Sequence, residues 1–247
     1  MSRLRKIFNR IKQRFTFEPQ TSDLPAEVWI DAVFKNQKIQ IVQIGSNDGK
    51  SKDPLFDLIQ KNTNWQALFV EPVPYLFERL KANYGDDPRF TFEKVAINDG
   101  SQQTFYSVKE EAKNHIPDLP VWYDQLNSFD RENIVKHLDG ALEPYIVETE
   151  IEGITLQKLL SKNQIQQVDL LHIDTEGYDW KILSQLDFKQ YQPNVILYEH
   201  RHISEEERKA SLNFLKRKYR IYNLGGDFIC ISKTKIKKRV LNTILKK

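Results

Sequence analysis

Ile41-Val-Gln-Ile-Gly-Ser-Asn-Asp-Gly49 is the stretch on which the reading of the fold turns. A β-branched, apolar run breaks into two glycines four residues apart, just ahead of a segment with helical spacing. That pattern reads as a strand feeding a tight turn. Gly45 and Gly49 permit positive φ and close approach of a ligand to the backbone. The amides that follow lie at the carboxyl end of the strand, where open α/β sheets bind ligands, and a nucleotide-like cofactor suits that place.

Outward from this turn, strands and helices alternate. Upstream, Ser22-Asp-Leu-Pro25 reads as a cap and an early proline for a helix over 26–36. Downstream the expected order is strand 39–44, helix 54–62, strand 67–70, helix 74–83 and strand 90–96. It resumes with helix 156–162, strand 168–173, helix 178–186, strand 194–198, helix 205–218 and a hairpin turning at Gly225-Gly226. The alternation implies an α/β, Rossmann-like fold: a mostly parallel, seven-stranded sheet with helices on both faces. The closing hairpin suggests that its terminal strand is antiparallel and lies at an edge. Residues 99–150 break the rhythm as an insert, with a strand expected over 104–108 and an aromatic stretch through Trp122, Tyr123 and Ser128-Phe129. Segments above a sheet's carboxyl edge commonly select substrate.

At 247 residues, 40% hydrophobic and 29% charged, the chain suits one α/β domain, over 21–232, with tails. The net charge of +3 hides a segregation: residues 1–14 carry six Lys/Arg and residues 233–247 carry seven, with no acid in either. The tails thus hold 13 of the 37 basic residues, leaving 24 against 34 acidic ones, a body of net charge −10. An acidic body argues against a nucleic-acid groove. The single cysteine, Cys230, excludes an internal disulfide and suits a reducing compartment. No apolar run approaches the ~18 residues of a membrane span, and the expected location is the cytoplasm.

In the N-terminal tail, taken as 1–20, Leu4, Ile7, Phe8, Ile11 and Phe15 recur at helical spacing among the basic residues. Ile236, Val240, Leu241, Ile244 and Leu245 repeat the theme in the C-terminal tail. Two readings stay open for these stripes: peripheral adsorption to an anionic inner-membrane surface, or packing on the domain or on a second copy as a homodimer.

Four strand ends hold the candidate chemistry. After the glycine turn, the next strand closes in Val70-Glu71-Pro72, and a carboxylate there can accept both hydroxyl hydrogens of a ribose. A later strand closes in His172-Ile-Asp-Thr-Glu-Gly177; paired acids at a strand end suit a cation, an ammonium or a proton in transit. Asp174 reads as functional, whereas Glu176 reads either as a base or as a cap for the next helix. The following strand leads into Tyr198-Glu-His-Arg-His202, where His200 is positioned as a general base. His115, His137 and His172 read as structural.

Taken together, Asn-Asp-Gly after the turn, Val-Glu-Pro, Val-Ala-Ile-Asn at 95–98, Asn-Ser-Phe-Asp-Arg at 127–131 and His-Ile-Asp-Thr-Glu-Gly resemble the FkbM-type class I methyltransferases. The resemblance runs from about Ile39 to Ile231. It implies S-adenosylmethionine as cofactor and methyl transfer to oxygen, on a hydroxyl of a sugar, glycolipid or natural product. Carried over, it assigns Gln43, Gly45, Ser46, Asn47 and Gly49 to the methionine part and Glu71 with Pro72 to the ribose. Ala96 and Ile97 go to the adenine, and Asp174 to the methionine ammonium or the reaction centre. Gln43 departs from the acid often found at its place and lacks the charge that would pair with the ammonium. His200 or Glu176 would remove the hydroxyl proton, with Tyr123, Ser128, Phe129, Glu199 and His202 contacting the acceptor. An alternative on the same fold is a divalent cation such as magnesium on Asp174, Glu176 and Glu199.

Rivals from other classes fit less well. A nicotinamide-dependent oxidoreductase would prefer a third glycine in step, and Lys50 and Ser51 follow instead. A nucleic-acid methyltransferase is opposed by the acidic body. A non-catalytic, membrane-associated binding protein stays open, because a fold does not establish an activity.

Overall fold

The computed structural model describes residues 17–237 together with Leu241 and Ile244. Nearly all of the expected N-terminal helix, and Val240 and Leu245 of the C-terminal stripe, lie outside the described residues. The strands are β1 (Gln20–Thr21), β2 (Ile39–Ile44), β3 (Trp65–Val70), β4 (Phe90–Glu93), β5 (Gln102–Val108), β6 (Ile146–Glu152), β7 (Leu170–Ile173), β8 (Val195–Glu199), β9 (Tyr219–Asn223) and β10 (Asp227–Ser232). The α-helices are α1 (Ala26–Phe34), α2 (Phe56–Lys61), α3 (Pro74–Tyr84), α4 (Arg131–Val135), α5 (Leu156–Lys162), α6 (Asp179–Leu183) and α7 (Glu205–Leu215).

The main sheet runs β1-β9-β10-β8-β7-β2-β3-β4, parallel except for β10. It is Rossmann-like, with eight strands rather than seven because Gln20–Thr21 pairs in parallel with β9. The antiparallel strand does not lie at an edge. The turn at Gly225 (φ +98°) folds β10 back into the gap between β9 and β8, and it bonds to both. The cap expected from Ser22 also differs: Pro25 begins α1 without a side-chain cap, and Ser22 Oγ accepts from Leu24 N instead.

Strand alternation divides the core between the two faces of the sheet. Ile41, Phe69, Leu197 and Ile229 turn toward Trp29, Ile30 and Phe34 of α1, Ile59 of α2 and Leu80 of α3. Val42, Leu68, Leu171, Ile196 and Cys230 turn toward Leu159 of α5, Ile182 of α6 and Leu212 of α7. Ile236, Leu241 and Ile244 are buried on the α1 side, so the described part of the C-terminal stripe packs on the domain. At β2 the chain order reverses, with β3 on one side and β7 on the other. Such a switch point opens a crevice at the strands' carboxyl ends.

The segment between β4 and α5 carries a separate antiparallel pair, β5 and β6, and its own small core around Val108, Tyr123, Leu126 and Ile134. Arg79 of α3 anchors it, donating to Asp124 at 2.8 Å and Glu110 at 2.6 Å. The insert is thereby held over the crevice.

Candidate functional site

The glycine turn is built by contacts that only glycine tolerates. Gly45 has φ +78°, and a Cβ there would lie 1.7 Å from the Asp174 carbonyl oxygen, so the turn lies directly against the end of β7. Gly49, at φ +68°, faces Leu80 and Tyr84 of α3 and lines neither cavity described below. Its role is to seat the turn on the helix. Ser46 Oγ is likewise spent within the fold, donating to Gln43 O at 3.1 Å and accepting from Val70 N at 3.2 Å.

Two cavities meet at Gly45, Asn47, Gln125 and Asp174. One is a narrow slot of about 40 Å³ between Val70, Glu71 and Pro72 on one side and Val95, Ala96 and Ile97 on the other, closed by Phe129 and Tyr178. Glu71 is 2% exposed at its edge; one carboxylate oxygen accepts from Asn47 N at 2.8 Å and the other from Val73 N at 2.9 Å. Burial pushes its pKa up to about 7. Each oxygen keeps a second lone pair, so the carboxylate can still accept from a ligand.

The other cavity is an open, polar cleft of about 500 Å³. Gln43, Asp53, His172, Asp174, Glu176, Glu199, His202 and Asp227 line its protein wall, and Trp122 and His137 line it from the insert. Crowded, partly desolvated carboxylates resist ionisation together. Burial and mutual repulsion push Asp174 and Glu199 well up, and Glu176 also rises. Glu176 and Glu199 flank His202, with carboxylate oxygens 3.4 Å and 3.6 Å from its Nε2. Burial and the cations Lys136 and Arg201 push the His202 imidazole down to about 4, which keeps it neutral around pH 7. Glu176 has φ +52°, an unusual conformation for a side-chain-bearing residue. Its carbonyl is gripped from the insert by Ser128 Oγ and Asn133 Nδ2, both at 2.8 Å.

Several sequence expectations are corrected by this geometry. His200 does not line the cleft: its ring stacks on Phe228 at 3.7 Å and faces Asn223 Oδ1 at 3.2 Å. Alternation along β8 explains this, because adjacent residues take opposite faces and Glu199 already faces the cleft. Tyr123 is buried in the insert, its hydroxyl donating to Glu110 O at 2.7 Å. Ser128 holds Glu176 rather than lining the cleft, and Phe129 belongs to the slot. For a cation, the carboxylates expected were Asp174, Glu176 and Glu199. Among the described residues, the trio whose ligand atoms come within 4.8 Å of one another is Glu176, Glu199 and His202. His137 and His172, read as structural, both line the cleft.

Sequence reading marked Trp122 only as part of the insert's aromatic stretch, and it missed Asp53, Asn133, His137, His172 and Asp227 as site residues. Alternation could have found His172, since it pairs with Gln43 across β2 and β7 and shares its face. Nothing local marks the others.

A family model described as methyltransferase FkbM domain matches residues 43–222. Among solved structures, the chain is similar to a TehB-like S-adenosylmethionine-dependent methyltransferase from Corynebacterium glutamicum. There the identity is 8%, covering 92% of this chain and 94% of that one, with a TM-score of 0.37. A precorrin-6y C5,15-methyltransferase from Geobacter metallireducens shares 11% identity over 83% and 78% of the two chains, TM-score 0.39. The fibrillarin pre-rRNA processing protein of Methanococcus jannaschii shares 11% over 79% and 67%, TM-score 0.40. No curated protein matches the chain. Among the described residues, no helix is long and apolar enough to cross a membrane.

Proposed function

Because this chain belongs to the FkbM methyltransferase family, we propose that it transfers the methyl group of S-adenosylmethionine to a hydroxyl oxygen of a sugar, glycolipid or natural product. The cofactor's chemistry is a methyl carried on a sulfonium, a good leaving group. The residues present fit it: an apolar slot edged by Glu71 suits an adenosine, and the buried Gln43 Oε1 has no partner in the wall where the methionine part would lie. Phe129 and Tyr178 would part to admit the base, since the slot is narrower than an adenosine.

The reading rests chiefly on His202 between Glu176 and Glu199, beside Asp174 at the junction of slot and cleft. A neutral imidazole there accepts the hydroxyl proton as the oxygen attacks, and the Glu176 carboxyl, raised only to about 7, can pair with the imidazolium formed. Trp122 and His137 line the cleft and can contact a sugar there, and orientation of the two partners supplies much of the rate. The test is product analysis with an acceptor panel, scoring S-adenosylhomocysteine released. His202→Ala is expected to slow turnover about a hundredfold or more, with His200→Ala within about threefold of wild type. Equal effects would remove the proposed base.

A second reading is favoured by one observation: Glu176, Glu199 and His202 can converge on a divalent cation, which would acidify the hydroxyl instead. Loss of turnover on chelation, restored by magnesium, would select it.

A further inference from the structure

In the glycine-turn strand, the position where an acid would meet the cofactor's ammonium carries a neutral amide, Gln43. Its Nε2 donates to Asp53 Oδ2 at 2.6 Å, which fixes the amide orientation. Its Oε1 is then left buried without a partner, on a side chain only 1% exposed, in the wall of the polar cleft. Asp53 lines the same cleft, on the turn leading into α2, and its other oxygen accepts from Leu55 N at 2.6 Å. Among the described residues, no Lys, Arg or His lies within ion-pair distance of it. An unpartnered carboxamide oxygen beside a desolvated, unpaired carboxylate is complementary to one kind of group, a cation with several N–H donors and no acceptor.

Resting on the methyltransferase reading, we infer that Asp53, held by Gln43, supplies the negative charge that pairs with the α-ammonium of the cofactor's methionine part. The carboxylate missing from the strand has moved ten residues along the chain, to the far side of the glycine turn, and Gln43 both positions it and adds an acceptor. Asp174, at the end of β7 beside Gly45, is thereby left to the reaction centre.

The competing possibility is that Asp53 merely shapes the turn through Leu55. Calorimetric titration of the full chain with two ligands separates them: S-adenosylhomocysteine, and 5′-methylthioadenosine, which keeps the adenosine and thioether but lacks the amino-acid part. Asp53→Asn is expected to weaken the homocysteine ligand at least about tenfold and leave methylthioadenosine within about twofold of wild type. Equal weakening of both ligands, or no weakening of either, overturns the assignment. If Asp53→Asn melts below the assay temperature, Gln43→Leu, which removes the acceptor and releases Asp53, must show the same selective loss, and an unselective effect overturns it. Wild-type protein that binds neither ligand removes the methyltransferase reading itself. A selective or unselective pattern in the variants bears only on Asp53.

Discussion

The slot and the cleft share four wall residues but are made in opposite ways. The slot is shaped by a strand end, the glycine turn and apolar side chains, among them Ala96, Ile97, Phe129 and Tyr178, with Glu71 fixed by the amides of Asn47 and Val73. The cleft is shaped by side chains brought from β2, β7, the loop after β8 and the insert, and several of their polar atoms, including Gln43 Oε1, Glu199 Oε2 and His172 Nδ1, have no partner. An apolar surface whose single acid is held in place by backbone amides is set for one invariant ligand. A surface with polar atoms left over is set for whatever the insert admits.

The contrast breaks most completely at the shared wall. Gly45→Ala places a methyl against the Asp174 carbonyl at a positive φ, and we expect it to cost about 3 kcal/mol or more in a denaturant titration and to abolish ligand binding. A substitution that leaves stability unchanged would show that the turn does not lie against β7. Asn133→Ala should act on the cleft alone. It frees the strained Glu176 backbone, costs about 1–3 kcal/mol of stability, lowers turnover by roughly tenfold, and leaves S-adenosylhomocysteine affinity nearly intact. Loss of cofactor affinity in that variant would mean the two cavities are not separable.

The smallest effect is in pH. Glu71 and Asp179 are pushed up by burial to about 7 and about 8, so the folded protein binds protons there that the unfolded chain has already released. Their stabilisation is complete below the unfolded values near ~4 and is lost as pH rises through the folded ones. Buried His172 and His202, held down to about 4, act in the opposite sense, but only below their unfolded value of ~6.5. The unliganded protein should therefore melt progressively lower between about pH 7 and pH 9, by a few degrees. Asp179→Asn should flatten the slope, and a melting temperature that climbs over this window would contradict the assignment.

What was legible in the sequence follows the same division. The sheet, its helices, Gly45 and Glu71 could be read because each depends on a short run of residues whose period or backbone need is local. The edge place expected for the antiparallel strand was not legible, since a Gly-Gly turn fixes that two strands pair but not which neighbour the second one finds. β6 was missed although Ile146–Glu152 alternates, because its faces are half exposed and its glutamates mask the pattern. In the cleft, position along a strand was mistaken for direction: His200 leaves the sheet beside Glu199 but on the other face, and His202 returns only after the chain bends. Asp53 had no signal of its own, since its meaning depends on an amide ten residues earlier.

The most direct test of the account is an equilibrium titration of the purified chain with S-adenosylhomocysteine and, separately, with NADH, repeated on Glu71→Ala. The account predicts binding of S-adenosylhomocysteine that weakens roughly ten- to a hundredfold in the variant, and no binding of NADH. NADH binding in place of S-adenosylhomocysteine, or S-adenosylhomocysteine binding indifferent to Glu71, would contradict it.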